Sequence, residues 1–390
     1  MTVYFDNAAT APVRDEAAAA AVRAMRDFYG NPSSAHTEGR RASDELATAR
    51  GDVAAAAGAR PSEVFFTSGG TESDNWALFG LARAAASARA RGRHMIISSA
   101  EHDAVLRPAE YLAARGWEVT ALRPDGDGRI PVPEFAAALR EDTAIASVML
   151  VNNETGAVNP VAEYAAEIRQ RSSPAVLHTD AVQAFCKIPF SLKSLGADLV
   201  SVSAHKIGAP RGVGALIVRD GLKLPPFILG GGQESGRRSG TEPLALIAAF
   251  AEASRLGAAE LRQNAEHARR LREHIVSELA SRLPGAVFVG AGDSPYILCA
   301  SLPGYRGEVL QSALDAEGIR VSRGSACKRG ARSHVLEAMR LPAEVIDGAI
   351  RLSFSRDNTM EQAEYFIEKL SAIADRLFTR ERAVSGRAAK

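Results

Sequence analysis

Short apolar runs that alternate with helical segments constrain the fold of this chain more than any other feature. The runs cover residues 64–67, 94–98, 146–151, 175–178, 199–202 and 212–218. Most of them show little alternation of apolar and polar residues, which is typical of strands buried on both faces of a parallel sheet. The pattern therefore predicts an α/β domain in which helices cover a mostly parallel sheet.

The helical segments indicate where the domains begin and end. An Ala-rich helix is predicted at residues 15–29, and helical periodicity from residue 243 to about residue 283 leads out of the first domain. A smaller α+β unit is predicted beyond it, with strands at 297–301 and 349–354 and helices at 306–317 and 359–378. We expect an N-terminal arm (1–14), a large cofactor-binding domain (15–255) and a small domain (256–390).

Composition excludes several classes of function. Lys and Arg number 47 and Asp and Glu number 46, so the net charge of +1 indicates neither a nucleic-acid partner nor an anionic membrane surface. The three cysteines are widely spaced and form no zinc or redox pair, and no apolar run reaches the roughly 20 residues of a membrane span. The N-terminus has no signal-peptide pattern. We therefore expect a cytoplasmic protein without a metal site.

A lysine and an acid follow two of the apolar runs. Lys206 comes shortly after the run at 199–202, and Asp180 comes two residues after the run at 175–178 and closes the predicted strand end 178–180. Ligands of open α/β sheets bind at such strand ends. A pyridoxal phosphate enzyme needs a lysine that links to the cofactor aldehyde and a carboxylate that keeps the pyridine nitrogen protonated. The pair predicts this cofactor and a partly desolvated lysine amine of lowered pKa, although each residue alone could be a solvated lysine or a capping acid.

Further residues fit the same cofactor. Residues 67–73 follow a predicted strand and open a helix, so their amides and hydroxyls can hold a phosphate, although a plain N-cap has the same pattern. Gln183 can reach the phenolic oxygen of the cofactor or face solvent. His102, after the run at 94–98, can stack on the ring and move protons, or cap a helix.

Two other residues indicate chemistry on a substrate. Arg351 interrupts the apolar strand at 349–354, and its planar fork suits the carboxylate of an amino acid, although an internal salt bridge is the alternative. Cys327 lies in a segment rich in Gly, Ser and basic residues, where nearby cations favour the reactive thiolate. Cys186 and Cys299 sit among apolar residues and should be buried.

Ten motifs of the chain resemble, in the same order, those of the cysteine desulfurases, pyridoxal phosphate enzymes of the class V aminotransferase group that serve iron-sulfur cluster assembly. They lie at residues 4–10, 30–34, 67–75, 101–102, 151–156, 178–183, 203–206, 230–234, 238–241 and 324–327. The resemblance implies the type I fold of pyridoxal phosphate-dependent transferases. It also implies a homodimer.

The resemblance assigns a role to each site residue. Lys206 would hold the cofactor, Asp180 would pair with its pyridine nitrogen, and His102 would stack on its ring. The remaining contacts would come from Gln183 and Asn153 to the ring substituents, from Gly70, Thr71, Ser203 and His205 to the phosphate, from Thr241 of the other subunit, and from Arg351 to the substrate carboxylate.

The implied reaction converts L-cysteine to L-alanine. Lys206 would remove the Cα proton, and Cys327 would accept the sulfur as a persulfide and pass it to an acceptor such as an iron-sulfur scaffold, or to thio-cofactor or tRNA modification. Residues 328–332 depart from the usual Ser/Thr-bearing stretch, which leaves the acceptor open. A selenocysteine lyase and a non-catalytic assembly scaffold are the alternative functions.

Overall fold

The computed structural model describes residues 1–87, 92–323 and 332–388. Twelve strands lie within these ranges: β1 (Val3–Tyr4), β2 (Val64–Thr67), β3 (His94–Ser98), β4 (Glu118–Leu122), β5 (Thr143–Ser147), β6 (Val176–Asp180), β7 (Leu199–Ser203), β8 (Gly214–Val218), β9 (Val287–Val289), β10 (Ile297–Ser301), β11 (Ile319–Arg320) and β12 (Ala349–Ser353).

Thirteen α-helices lie in the same described ranges. They are α1 (Asp15–Asp27), α2 (Thr37–Ala56), α3 (Gly70–Ser87), α4 (Asp103–Ala113), α5 (Val132–Ala138), α6 (Val161–Gln170), α7 (Leu192–Leu195), α8 (Leu244–Ala259), α9 (Leu261–Arg282), α10 (Gly307–Ala316), α11 (His334–Ala338), α12 (Ala343–Asp347) and α13 (Met360–Ala388).

The large sheet has seven strands in the order β2-β8-β7-β6-β5-β3-β4. β8 is antiparallel to both of its neighbours, and the other neighbouring pairs are parallel. Every residue of β2, β3 and β5 to β8 is buried, as expected for strands with helices on both faces. The predicted α/β architecture is therefore confirmed, and the carboxyl ends of β2, β3, β6 and β7 meet at one edge.

The C-terminal part contains a separate antiparallel sheet in the order β12-β10-β9. The N-terminal arm contacts the C-terminal part, because β1 pairs in parallel with β11 as a two-stranded sheet and Asp6 bridges to Ser353, the last residue of β12. The arm then continues past the carboxyl edge of the large sheet, where Ala11 N donates to His205 O at 2.9 Å. The domain boundaries at 14 and 255 stay predictions.

Three sequence predictions need correction. The strand expected at 146–151 is β5, which ends at Ser147; residues 148–151 form a buried connection instead, since Val148 N and Leu150 N donate to carbonyls at the end of β6. The helical stretch from residue 243 is two helices that meet at Glu260. Apolar periodicity did not reveal α2. It also did not reveal the edge strand β4, because the residues of β4 are half-buried or exposed.

Candidate active site

A cavity of about 260 Å³ opens at the carboxyl edge of the large sheet. Ten of the twelve predicted site residues line it: Gly70, Thr71, His102, Asn153, Asp180, Gln183, Ser203, His205, Lys206 and Arg351. They come from both ends of the chain and from both sheets. The cavity therefore brings together residues that the sequence separates by up to 281 positions, from Gly70 to Arg351.

Lys206 is held by the N-terminal arm. It ends a short 3₁₀ turn, Ala204–Lys206, directly after β7. Its Nζ donates to Ala8 O at 2.7 Å and to Ala9 O at 2.9 Å. The solvated alternative is therefore wrong, since the amine lies partly buried against two carbonyl oxygens. Sequence reasoning missed these two acceptors because backbone carbonyls of alanines carry no side-chain signal.

Asp180 ends β6 and is buried. Its Oδ1 accepts a hydrogen bond from Val182 N at 2.8 Å, so the residue also has the capping role considered from sequence. Burial raises the pKa of Asp180, while the Val182 N–H, His102 and Lys206 act in the opposite direction. A cation beside a buried carboxyl of this kind would further favour its charged form. A pyridinium nitrogen would supply that cation.

The turn between β2 and α3 has the features of an anion site. α3 begins at Gly70, and the first N–H groups of a helix have no acceptor within the helix. Added at Gly70, a Cβ atom would lie 2.8 Å from Val182 Cγ2, so only glycine allows this close approach. Ser68 N donates to Glu72 Oε2 at 2.8 Å, which closes the turn.

His205 stands on the other side of this turn, next to Ser203 on the cavity wall. Its Nδ1 lies 3.2 Å from Thr10 Oγ1. Burial, followed by the charges of Lys206, Lys187 and Arg211, lowers the pKa of His205 to about 4. The imidazole is therefore neutral near pH 7 and can offer a phosphate a hydrogen bond but no charge.

His102 is the N-cap of α4, and its Nδ1 accepts a hydrogen bond from Ala104 N at 3.1 Å. The helix-cap alternative is thus correct, and it is compatible with a place on the cavity wall. Because Nδ1 is an acceptor, the proton of the neutral ring must be on Nε2. His102 can therefore donate a hydrogen bond through Nε2 while it continues to cap the helix, whereas release of a proton from Nε2 requires that Nδ1 first take up a proton and give up the cap.

Arg351 lies on β12 and is 3% exposed. Its Nη1 donates to Asn153 O at 2.8 Å, and its Nη2 donates to Asp6 Oδ1 at 2.8 Å. The internal salt bridge considered from sequence is therefore present. Nε has no hydrogen-bond partner among the described residues, so the guanidinium retains donor capacity on the cavity wall.

Sequence reasoning missed three buried polar side chains behind this wall. Asp74 lines the cavity one helical turn after Gly70, and Glu101 and His178 are fully buried nearby. Burial, followed by the charge of Asp180, raises the pKa of Asp74, and burial raises that of Glu101. Burial also lowers the pKa of His178 to about 3. The spacing of four residues from Gly70 is the signal that would have identified Asp74.

Two predicted site residues are not among the lining residues. Thr241 is exposed and lies outside the cavity of its own chain. Cys327 lies outside the described residues. Described residues on both sides of Cys327 in the sequence contact residues of the site. Ser322 N donates to Arg351 O at 3.1 Å, and His334 Nε2 contacts Glu101 O at 3.0 Å.

The other two cysteines are buried, as predicted. Burial raises the pKa of Cys186 to about 12 and that of Cys299 to about 12, so both thiols are unreactive near neutral pH. The described residues contain no cluster of side chains suited to a metal ion. No helix among them is long and apolar enough to cross a membrane.

These residues fit pyridoxal phosphate. One cavity is lined by the Lys206 amine, which can link to the aldehyde, and by the buried carboxyl of Asp180, which a cation would stabilise. The N-terminus of α3, which can hold the phosphate, faces the same cavity at Gly70. An imidazole and a guanidinium complete the wall.

Comparisons with known proteins agree with this site. The chain matches the Aminotransferase class-V family over residues 3–366. The cysteine desulfurase IscS of Dictyoglomus turgidum is 38% identical over 381 residues, which cover 97% of this chain and 95% of that protein.

Solved structures show the same likeness. One named "NIFS-LIKE PROTEIN" has a TM-score of 0.90 and 38% identity, and covers 96% of this chain and 100% of its own. Another, "SspA in complex with cysteine", has a TM-score of 0.78 and 32% identity, and covers 92% of this chain and 100% of its own. The chain belongs to the cysteine desulfurases, pyridoxal phosphate-dependent enzymes of the class-V aminotransferase family.

Proposed function

We propose that this protein converts L-cysteine to L-alanine and transfers the sulfur to Cys327 as a persulfide. The observation that carries the proposal is the convergence of Lys206, Asp180 and Arg351 on one cavity. The overall change balances: L-cysteine and the Cys327 thiol give L-alanine and a Cys327 persulfide. The sulfur atom is oxidised by two electrons as the substrate Cβ is reduced, and no external oxidant is needed.

Residues around the cavity would hold the cofactor. Asp180 would face the pyridine nitrogen, and Gln183 and Asn153 would face the ring substituents. The phosphate would lie against Gly70, Thr71, Ser203 and His205 at the positive end of α3. When bound, pyridoxal phosphate supplies an aldehyde that links to amino groups and a ring that withdraws electrons from the substrate Cα.

Lys206 would act on the Cα proton. Its amine lies within hydrogen-bond distance of Ala8 O and Ala9 O, and both acceptors stabilise the ammonium form that arises when Nζ takes up a proton. The arm carbonyls therefore favour proton transfer to Lys206. His102 would cover the ring, and it can return a proton from Nε2 during alanine formation once Nδ1 has taken up a proton and released Ala104 N.

Arg351 would bind the substrate carboxylate. Two of its nitrogens already have oxygen partners in Asn153 and Asp6, which fix the plane of the guanidinium. The unpartnered Nε, together with the second hydrogens of the terminal nitrogens, can take a carboxylate. Asp6 compensates the buried positive charge when no substrate is present.

Cys327 would act as the nucleophile on sulfur. Its thiolate forms an S–S bond to the substrate sulfur while the substrate Cβ–S bond breaks, and the electron pair of that bond passes to the carbon fragment, which is protonated to give alanine. A soft thiolate is the side chain suited to this attack. Arg323 and Lys328 lie close to Cys327 in the sequence, and their charges would favour the thiolate form.

A homodimer would complete the site with Thr241 of the second copy. Arg238 Nε donates to Glu72 Oε1 at 2.8 Å, so the segment that carries Thr241 is attached to the first turn of α3. The acceptor of the persulfide sulfur would be an iron-sulfur scaffold or an enzyme of thio-cofactor or tRNA modification. The likeness to a protein solved in complex with cysteine supports the substrate.

The test uses Cys327→Ser beside Cys299→Ser, whose thiol is buried. With L-cysteine and a reductant, the wild-type protein and Cys299→Ser should form alanine and sulfide in equal amounts. Cys327→Ser should lose more than about 100-fold of this activity. Without reductant, mass spectrometry should find one added sulfur on Cys327.

Undiminished sulfide formation by Cys327→Ser would contradict the role of the thiol. Efficient turnover of selenocysteine alone, with none of cysteine, would identify a selenocysteine lyase instead. Protein without the visible absorbance of bound cofactor would favour the non-catalytic scaffold.

A further inference from the structure

A second lysine, Lys187, is buried beside the cavity and has no part in the reaction described above. It lies in the turn that follows β6, four residues after Gln183, and it is 7% exposed. Its Nζ donates to Gln183 Oε1 at 3.1 Å. Burial of a lysine is costly unless its amine is hydrogen-bonded, so this contact is a feature that the fold maintains.

The partners of Gln183 determine how its amide is oriented. On one side stands Ala8 O, which can only accept, and Gln183 Nε2 lies 2.8 Å from it. On the other side stands the Lys187 ammonium, which can only donate. The amide nitrogen must therefore face Ala8 and the amide oxygen must face Lys187. If Lys187 were replaced by an apolar side chain, nothing on that side would distinguish oxygen from nitrogen.

The fixed orientation has a consequence for the cavity. An amide NH₂ has two hydrogens, and Ala8 O takes one of them. Gln183 lines the cavity beside Lys206, so the second hydrogen is available to a ligand. The phenolic oxygen of the cofactor accepts hydrogen bonds, and a Gln183 that presents its oxygen instead would repel it.

We propose that Lys187 is a positioning residue of the cofactor site, which holds the Gln183 amide with its NH₂ group available to the phenolic oxygen of pyridoxal phosphate. The inference deepens the proposed function and rests on it.

The charge on Lys187 does not have to be permanent for this role. Burial, followed by the positive charges of Lys206 and Arg351, lowers the pKa of Lys187 to about 7, with Cys186 acting in the opposite direction. Both the ammonium and the neutral amine keep a hydrogen to donate. The neutral amine can also accept a hydrogen bond, so Lys187 constrains Gln183 most strongly as the ammonium, while Ala8 O faces the amide nitrogen in both states.

The experiment measures binding of pyridoxal phosphate to protein freed of cofactor and the visible spectrum of the reloaded protein. Lys187→Met keeps the length and the apolar stem but removes the donor. It should weaken cofactor binding about tenfold, as expected for loss of one buried hydrogen bond, and should shift the visible absorbance maximum. Gln183→Leu should produce both changes.

The double variant tests the connection between the two side chains. If Lys187 acts through Gln183, Lys187→Met combined with Gln183→Leu should bind the cofactor no more weakly than Gln183→Leu alone. Lys187→Gln, which retains a donor, should recover part of the affinity. The exposed Lys193→Met is the matched control and should behave as wild type.

A Lys187→Met protein that binds the cofactor with unchanged affinity and spectrum would overturn the proposal, as would additive losses in the double variant. If Lys187→Met does not fold, Lys187→Leu, which also removes the donor, carries the same comparison. Failure of the wild-type protein to bind pyridoxal phosphate would instead refute the proposed function, so the two failures are distinguishable.

Discussion

Two sets of charged side chains meet at the cavity, and they differ in how their charge is compensated. The acidic set, Asp74, Glu101 and Asp180, lies on and behind the edge of the large sheet. The cationic set consists of Lys187, Lys206 and Arg351, and each member donates to a defined oxygen. In the acidic set, Asp180 and Glu101 each accept one backbone N–H, whereas Asp74 Oδ1 and Glu101 Oε2 have no hydrogen-bond partner among the described residues, which is also true of Arg351 Nε.

Burial shifts the pKa values of the acids and of Lys187 in opposite directions. Burial disfavours every charge, so it raises the pKa values of the three acids and lowers that of Lys187. Each cation donates hydrogen bonds to carbonyl, amide or carboxylate oxygens, which stabilise it at its position. Burial thus favours the neutral forms of Asp74 and Glu101, and a cation bound beside Asp180 would favour its charged form.

Among the three cationic residues, removal of Lys206 should reduce activity the most. Lys206→Ala deletes both the amine that links to the cofactor and the base for the Cα proton, so alanine formation should fall by at least about 10³-fold. Single-turnover assays with saturating cofactor measure this, and Lys193→Ala is the control. A variant that keeps a tenth of the wild-type rate would show that another base acts.

Arg351→Gln should act on substrate binding. Loss of a charged hydrogen-bonding pair costs about 1.5–3 kcal/mol, which corresponds to a rise in KM for L-cysteine of roughly 10- to 150-fold. Inhibition by cysteamine, which lacks the carboxylate, should not change. If KM stays constant, the role of Arg351 is confined to the internal ion pair with Asp6.

Two variants of His102 distinguish its role as a helix cap from its role in proton transfer. In His102→Asn the side-chain oxygen can still accept the N–H of the first turn of α4, so the thermal midpoint should stay close to that of wild type. The rate kcat should fall about 100-fold, because the proton on Nε2 is lost. His102→Ala should lose the cap as well, with about 1 kcal/mol less stability. Equal melting of the two variants would contradict the capping role.

Asp74→Asn should have the smallest effect and tests the acidic set directly. The pKa of Asp74 is raised in the folded state above its ordinary value of 3.8. Its contribution to stability is therefore complete below that value and is lost as pH rises towards the folded pKa. Cofactor-free Asp74→Asn should lose less stability than wild type as pH rises above about 4.

Thermal midpoints of cofactor-free protein across this pH range measure the effect. Asp44→Asn, at an exposed position on α2, is the matched control and should follow the wild-type curve. If Asp74→Asn also follows it, Asp74 is charged in the folded protein and the contrast between the two sets fails.

Much of the fold was predictable because strands buried on both faces favour apolar residues at most positions. Strands β2, β3 and β10 begin and end where the runs at 64–67, 94–98 and 297–301 do. The strand assigned to 146–151 was misplaced because the connection after Ser147 is as apolar and as buried as a strand. The edge strand β4 was missed because solvent on one side allows polar residues.

The candidate site was predictable where function demands a particular side chain. Lys206, Asp180, His102 and Arg351 were recognisable because amine, carboxyl, imidazole and guanidinium have chemistry that no apolar residue replaces. Lys206, Asp180 and His102 stand at or just after the ends of strands of the large sheet, which is where ligands of such sheets bind, and Arg351 interrupts the apolar strand β12.

Tertiary structure decided the partners of these residues. The carbonyls of Ala8 and Ala9 reach Lys206 from almost 200 positions away, and Asp6 compensates Arg351 across 345 positions. Residue type alone determined which chemistry the chain can perform, because reactivity belongs to the side chain. Burial and the distances across the fold determine the charge state and the hydrogen bonds of each side chain. That burial and those distances arise only when both sheets and the N-terminal arm come together.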